Sequence, residues 1–413
     1  MSLRIAHPPG RVAERRYAAE VLLGELLGLE HVLVEEARDD VELTLPGHDG
    51  AVRFADGLFA TDAWLEAASL PSGDGDLLYA DDPFGSAFFL LTGYGELVDA
   101  RRDEHERAPA AAAAVGERIR RPLVDEYADA VWSDLSRCWP RLDRRSRLCS
   151  TLPSHDVDWP HSPERGVVRR LRRAAGDVVR GDPNQGMSRV RALAARRDPN
   201  DTFDLIMEES ERRGLRSAFY FIAGGTPPRD GDYSLDDAPI RRLLRRIHER
   251  GHEIGLHGSY DTMRDASRLA QELENLQRAC AAEGIEQETW GGRQHYLRWE
   301  PDTTWQAYEE AGLDYDTSAG YSDRPGFRLG TCSDVPAFDV RAGRRLRLRE
   351  RPLVAMEVAL LDHGALSQAG AFAELAALKE QCVRHGGLFT LLWHNSRLVS
   401  PRERRLYIEA LDA

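Results

Sequence analysis

The sequence predicts an α/β protein: a (β/α) barrel of seven strands over residues 146–413, preceded by a small α+β domain over 1–145. Three observations predict it. A chain of 413 residues is longer than one small domain. Its texture changes near 140–147 (PRLDRRSR), after which apolar strand-like runs alternate with helical ones. That alternation is the signature of βα units in a parallel sheet. Finally, the chemically distinctive residues recur at the C-terminal ends of those runs, where barrels carry active sites.

Taken in order, residues 13–29 place Tyr17, Val21, Leu22 and Leu26 at helical spacing. HVLVEE, VELTL and AVRFADGLFA then read as short strands between turn residues. Residues 81–97 form an apolar helix with Pro83 in its first turn, and 121–139 a second, amphipathic one. The connection at 100–114 is charged, then Ala-rich. No cluster in this region suggests chemistry.

Beyond the boundary the strands are expected at 148–157, 216–224, 252–258, 289–297, 313–321, 353–360 and 387–395. Helices fit between most of them. One begins at Asp201 or Thr202, both good caps. The helix at 236–250 stops at Gly251. Residues 263–283 carry Leu269, Leu273 and Leu276 at helical spacing, and 303–311 and 371–385 complete the set. Seven strands with helical crossovers suit a barrel better than an open sheet.

Composition excludes several classes. The net charge of −14 is wrong for a general nucleic-acid binder, which needs a basic footprint. Five scattered cysteines with no CxxC pair fit neither a disulfide framework nor a cysteine zinc site, and favour a reducing compartment. No apolar run reaches the roughly 18 residues of a membrane span, and the N-terminus lacks a signal-peptide core, so a cytoplasmic location is expected. There is no GxSxG elbow, no GxxxxGK[ST] and no GxGxxG opening a helix. Lys379 is the one lysine against many arginines, a bias that a GC-rich genome produces. Residues 161–199 gather ten of those arginines: Arg165, Arg169, Arg170, Arg172, Arg173, Arg180, Arg189, Arg191, Arg196 and Arg197. Such a run is most often a solvated helix face; its functional reading is steering of an anionic glycan or phosphate-bearing carrier.

Four segments carry candidate chemistry. SHDVD (154–158) sets Asp156 and Asp158 two residues apart, on one side of an extended chain. Carboxylates that close repel, so a cation or shared proton is expected between them, one serving a metal and the other a base. The bland alternative is an Asp turn at a strand end. In GHEIGLHGSYD (251–261), His252 reads as a structural turn residue, whereas His257 closes the strand as an imidazole suited to a transition metal; taken alone it is more often a satisfied core or turn histidine. GGRQHYLRW (291–299) offers Arg293 and His295 on alternate positions. Arg293 is suited to hold a carboxylate ionised, and His295 to serve as a third ligand; a solvated Arg and a packing His are the alternatives. LLWHNS (391–396) ends an apolar strand on His394, placed for proton transfer to a leaving group or idle on the rim.

In this order the segments resemble the polysaccharide deacetylase (NodB-homology) family, carbohydrate esterase family 4. The resemblance covers roughly residues 146–413 and is most specific in ERRGLRSAFYFI, IHERGHEIGLHGS, RQHYLRW, YDTS and LLWHN. It implies a distorted seven-stranded (β/α) barrel, and 1–145 looks like the accessory domain that precedes some members. It also implies roles. Asp156 resembles the base, Asp158 and His257 metal ligands, Arg293 the arginine on the base, and His394 the general acid. Asp323, in SDRPGF, matches the aspartate that supports the acid. One position departs. Where the family has a second histidine four residues after the first, this chain has Asp261. The third ligand is therefore expected from His295, with Asp261 as the alternative.

The expected activity is metal-dependent removal of an N-acyl group, acetyl above all, from an amino sugar or glycan. Zinc, or another divalent transition ion (cobalt, nickel, manganese), is the expected cofactor. The expected partner is a carbohydrate substrate, anionic or carrier-linked in one version, with no nucleic acid. The alternatives are an amidase of a non-polymer substrate on the same barrel and a non-catalytic glycan-binding protein.

Overall fold

The computed structural model describes residues 2–71, 77–163, 166–195 and 197–412. Two sheets organise it. The first is four-stranded, built from β1 (Ser2–His7), β2 (Glu30–Glu35), β3 (Asp40–Thr44) and β4 (Val52–Ala55) in the order β2-β1-β3-β4. β1 was not expected; its six residues, SLRIAH, are too short to show a period against the background. The helix Val12–Ala19, the helices Pro83–Leu91 and Leu123–Cys138, and this sheet share one apolar core, which Tyr321, Val335, Phe338 and Val340 also enter. Asp82 caps the Pro83 helix by accepting from Gly85 N–H at 2.7 Å.

The second sheet has nine strands: β5 (Ser150–Val157), β6 (Ala218–Ile222), β7 (Glu253–Gly258), β8 (Gly291–Gln294), β9 (Tyr315–Asp316), β10 (Val335–Asp339), β11 (Arg344–Glu350), β12 (Ala355–Met356) and β13 (Leu388–Leu392). The seven expected strands lie side by side in the order β9-β8-β7-β6-β5-β13-β12, all parallel. The sheet curls into an incomplete barrel, as the fold class requires. Its gap is spanned by Leu353 N–H donating to Ala319 O at 3.2 Å. β10 and β11, an antiparallel pair beside β9, were not expected, because RRLRLRE alternates arginine with leucine and reads as a charged surface run. The run at 353–360 also differs: only two residues pair as strand before the chain turns helical at Ala359–His363.

Small residues make room inside the barrel. A Cβ on Gly291 would sit 1.8 Å from the Tyr315 ring, and one on Gly255 2.4 Å from Tyr220. The two tyrosines fill that space, their hydroxyls 3.0 Å apart, and Arg293 stacks on Tyr220 at 4.7 Å. The interior is thus packed beneath the strand ends, which are left free for chemistry. The single lysine is structural: Lys379 Nζ donates to Leu411 O at 2.9 Å, tying down the C-terminal helix Pro401–Asp412. His252 is structural as well, its Nδ1 accepting from Ser217 N–H at 3.1 Å.

The arginine-rich insert folds as a helical hairpin, Val167–Val179 and Pro183–Ala194. Arg180 and Arg189 pair with Asp177, and Arg170 with Asp198, whereas Arg165 and Arg196 lie outside the described residues. No helix among the described residues is long and apolar enough to cross a membrane.

His155 gives the fold a measurable pH dependence. It is fully buried in β5, donates Nδ1–H to Trp393 O at 2.7 Å and stacks on Phe219 at 5.0 Å. Burial pushes its pKa down to about 3. The unfolded chain titrates near 6.5 and so takes up a proton that the folded state refuses until about pH 3. Stability from this group is complete above about 6.5 and declines as the pH falls through that window. Between pH 7 and 5 the decline is about 2 kcal/mol. Urea unfolding at the two pH values should show it, and His155→Asn should flatten it. An equal decline in the variant would contradict the assignment.

Candidate functional site

The site is assembled at the C-terminal ends of β5, β7, β8, β12 and β13. In β5, Asp156 is buried and aligned with Tyr220 of β6. Its Oδ1 accepts from Arg293 Nη1 at 2.8 Å. Arg293 is itself 1 % exposed, which would be costly without partners. It has them: Nη2 donates to Ser154 Oγ at 2.9 Å and Thr317 Oγ1 at 3.2 Å, and Nε to Thr317 O at 3.1 Å. Burial raises the Asp156 pKa, but the charge of Arg293 above all, with that of His394, outweighs it and holds the carboxyl below its usual range.

Asp158, one residue past β5, meets two histidines. Its Oδ1 lies 3.4 Å from His257 Nε2 and 3.5 Å from His295 Nε2. The ligand-type atoms of Asp158, His257 and His295 all lie within 4.8 Å of one another. The ring tautomers follow from the outer hydrogen bonds. His257 Nδ1 is 2.9 Å from Arg293 O, a carbonyl that can only accept, so the proton sits on Nδ1. His295 Nδ1 is 2.8 Å from Asp230 Oδ1, which accepts in the same way. His257 Nε2 is then left as a lone pair facing Asp158, and His295 Nε2 becomes one when its ring is neutral. Among the described residues, His257 Nε2 and Asp158 Oδ1 are shut off from solvent without a hydrogen-bond partner, a costly pairing of two acceptors unless a cation lies between them. The carboxyl of Asp158 is held well below its usual range: burial opposes ionisation, and the charge of His295 overrides it, with that of His394 adding to it. His295 is pushed up to about 9, burial being outweighed by Asp158 and Asp230. Two imidazoles and a carboxylate form a donor set that fits zinc or a similar divalent transition ion.

His394 follows β13 and reaches the same centre, its Nε2 3.6 Å from Asp158 Oδ2. Its Nδ1 bonds Glu357 Oε1, whose residue is fully buried. The Glu357 charge overcomes burial and pushes the His394 pKa up to about 10, so the ring is cationic near neutrality.

Asp156, Asp158, His257, Arg293, His295 and His394 therefore converge. Asp323 does not join them: its Oδ1 accepts from Ala110 N–H at 3.2 Å, and Glu357 holds the position beside His394 that the resemblance gave to Asp323. The register explains the exchange, since β12 pairs with β13 (Met356 opposite Leu392) and delivers Glu357 next to His394. Asp261, the alternative ligand, points away, its half-exposed carboxylate 3.5 Å from Arg268 Nη1. Two participants went unread. Glu357 had a signal, a lone carboxylate in the apolar run LVAMEVAL. Asp230 had none, because TPPRDGDY reads as an ordinary polar turn.

A cavity of about 310 Å³ opens over these groups. Trp159, Tyr296 and Met356 line it from the barrel, and Glu104, His105 and Arg107 from the N-terminal region. Arg229, exposed, also lines it, stacked 4.1 Å over Tyr260 and, among the described residues, without a carboxylate partner. No described residue of the arginine-rich hairpin lines it.

Comparison with known proteins adds the following. Residues 4–140 match the model of a family of unknown function (DUF7033). No curated protein matches the sequence. Among solved structures, a candidate polysaccharide deacetylase from Mycobacterium smegmatis is similar at 16% identity, with a TM-score of 0.41, over 66% of this chain and 85% of that one. The Puue allantoinase is similar at 13% identity, with a TM-score of 0.37, over 64% of this chain and 83% of the other.

Proposed function

We propose that the protein is a metal-dependent amide hydrolase that removes an N-acyl group, acetyl in the first instance, from a small or carrier-linked amino sugar, as in carbohydrate esterase family 4. The observation that carries this reading is the buried pair of unpartnered acceptors, His257 Nε2 and Asp158 Oδ1, between an arginine-held carboxylate and a glutamate-held histidine. Asp158, His257 and His295 would hold the ion. When bound it supplies Lewis acidity, which lowers the pKa of water and polarises a carbonyl. Asp156, kept ionised by Arg293, accepts the proton of the attacking water at Oδ2, the oxygen that Arg293 leaves free. The backbone N–H near Tyr296 is the donor for the developing oxyanion. His394, cationic through Glu357, gives its Nε2 proton to the departing amine.

The cavity's volume lies at the small end of ligand sites and supports a compact substrate over a long polymer. The exposed guanidinium of Arg229 in its lining, without a carboxylate partner among the described residues, supports an anionic one. A panel tests both: chitin oligomers, N-acetylglucosamine, its 1-phosphate, and a cyclic amide, with zinc present and acetate or ring opening measured. Acetate release, fastest from the phosphorylated monomer, is the expected result. Ring opening alone would move the reading to an amidase. Ligand binding without turnover or bound metal would leave a binding protein.

Glu357 offers a separate check. Glu357→Gln removes the charge that keeps His394 protonated, so the basic limb of the kcat/KM profile should move to lower pH and the rate should fall about 10²-fold. An unmoved limb would exclude Glu357 as the partner of the acid.

A further inference from the structure

The N-terminal region, 4–140 of which matches a family without assigned function, reaches into the site. Its segment 103–110 is fastened to the barrel at several points. Arg107 Nη1 donates to Tyr296 O at 2.6 Å, while its Nε donates to Asp103 Oδ2 at 2.8 Å. The His105 ring packs on Tyr296 at 4.6 Å, and His105 O accepts from Arg298 Nε at 3.0 Å. Glu106 accepts from Arg298 Nη2 at 2.6 Å and from Arg264 Nη1 at 2.9 Å. Ala110 N–H is held by Asp323.

Two of these contacts, those of Arg107 and the His105 ring, fall on a turn that needs support. Tyr296 and Leu297 have φ of 63° and 53°, two consecutive left-handed residues with side chains, directly after His295. Each such residue costs about 1–3 kcal/mol and persists only where its surroundings impose it. β8 ends at Gln294, so no strand ladder holds the turn. The Tyr296 carbonyl instead takes its hydrogen bond from Arg107, whose side chain is only 12% exposed. Removing a largely desolvated charged donor leaves that carbonyl without its partner, and the turn then rests on the long Arg298 N–H to His295 O bond of 3.3 Å and on the packing of the Tyr296 ring.

We infer that Arg107 is a positioning residue: the 103–107 segment of the N-terminal region holds the His295–Leu297 turn in the conformation that aims His295 at Asp158. The N-terminal region then completes the site instead of merely accompanying it. The inference rests on the proposed function only for what the site binds and hydrolyses; the conformation of the turn is measurable without either.

The experiment uses the full-length protein with Arg107→Ala, Arg107→Lys and, as a control on an exposed side chain of the same region, Arg101→Gln. Hydrogen–deuterium exchange is followed in peptides covering 295–298, and zinc affinity by calorimetry. Arg107→Ala is expected to speed exchange in that segment at least tenfold, with exchange in β5–β7 unchanged, and to weaken zinc about tenfold. Arg107→Lys, which retains one donor for the carbonyl, should restore part of both, and it stands in should the alanine variant not fold. Arg101→Gln should match the wild type. Wild-type exchange in 295–298 in both Arg107 variants would overturn the inference. Faster exchange in a protein that binds no zinc even as wild type would support the positioning role while removing the proposed function.

Discussion

Replacing Asp156 by Asn is expected to lower the rate of amide hydrolysis about 10³-fold, the middle of the range for losing a general base. The substitution keeps shape and one acceptor for Arg293 Nη1, so the geometry at 2.8 Å can survive. What it removes is the charge that, in the proposed reaction, takes the water's proton. It also leaves Arg293 buried without its counter-ion, and breaking such a pair costs about 3–5 kcal/mol when nothing else compensates. Here Ser154 Oγ, Thr317 O and Thr317 Oγ1 remain as acceptors, so the stability loss should fall at or below the low end of that range. Hydrolysis and unfolding measured on the same preparation separate the two effects. Undiminished hydrolysis in Asp156→Asn would remove Asp156 from the role of base.

The second large effect concerns the ion. The wild type, incubated with zinc, cobalt or nickel and then desalted, should retain close to one divalent ion per chain by elemental analysis. His257→Ala and His295→Ala should each lose it, with affinity down by more than about 100-fold, because even outer partners of ligands are commonly worth 10–100-fold. Asp230→Asn, which keeps the shape but weakens the hold on His295 Nδ1–H, should sit within that smaller range. Asp261→Ala should retain the ion, since its carboxylate pairs with Arg268 on the surface. Metal lost with Asp261→Ala and kept in His295→Ala would reverse the ligand assignment. No ion in the wild type would favour the glycan-binding alternative.

These expectations show how far the sequence reaches. The alternation of apolar runs and amphipathic helices determined the class of fold, because burial periodicity is a local property of the chain. SHDVD, GLHG and LWHN each stood at the end of an apolar run and GRQH in a strand-like one, and parallel strands that end on one side of a barrel bring such residues together whatever the details of packing. That is why six residues of the site are legible in the sequence. Choices between near-equivalent residues were not local. Asp323 or Glu357 beside His394 depended on β12 pairing with β13 and on the chain turning helical straight after it. His295 or Asp261 depended on a left-handed turn after β8 and on Arg268 taking up Asp261. Asp230 and Arg107 touch the site from segments about 65 and 190 residues from the groups they hold. Secondary structure follows from neighbours in the chain. The partner that satisfies a buried histidine or a strained carbonyl is set by which distant segment the completed fold lays against it, and only the tertiary structure decides that.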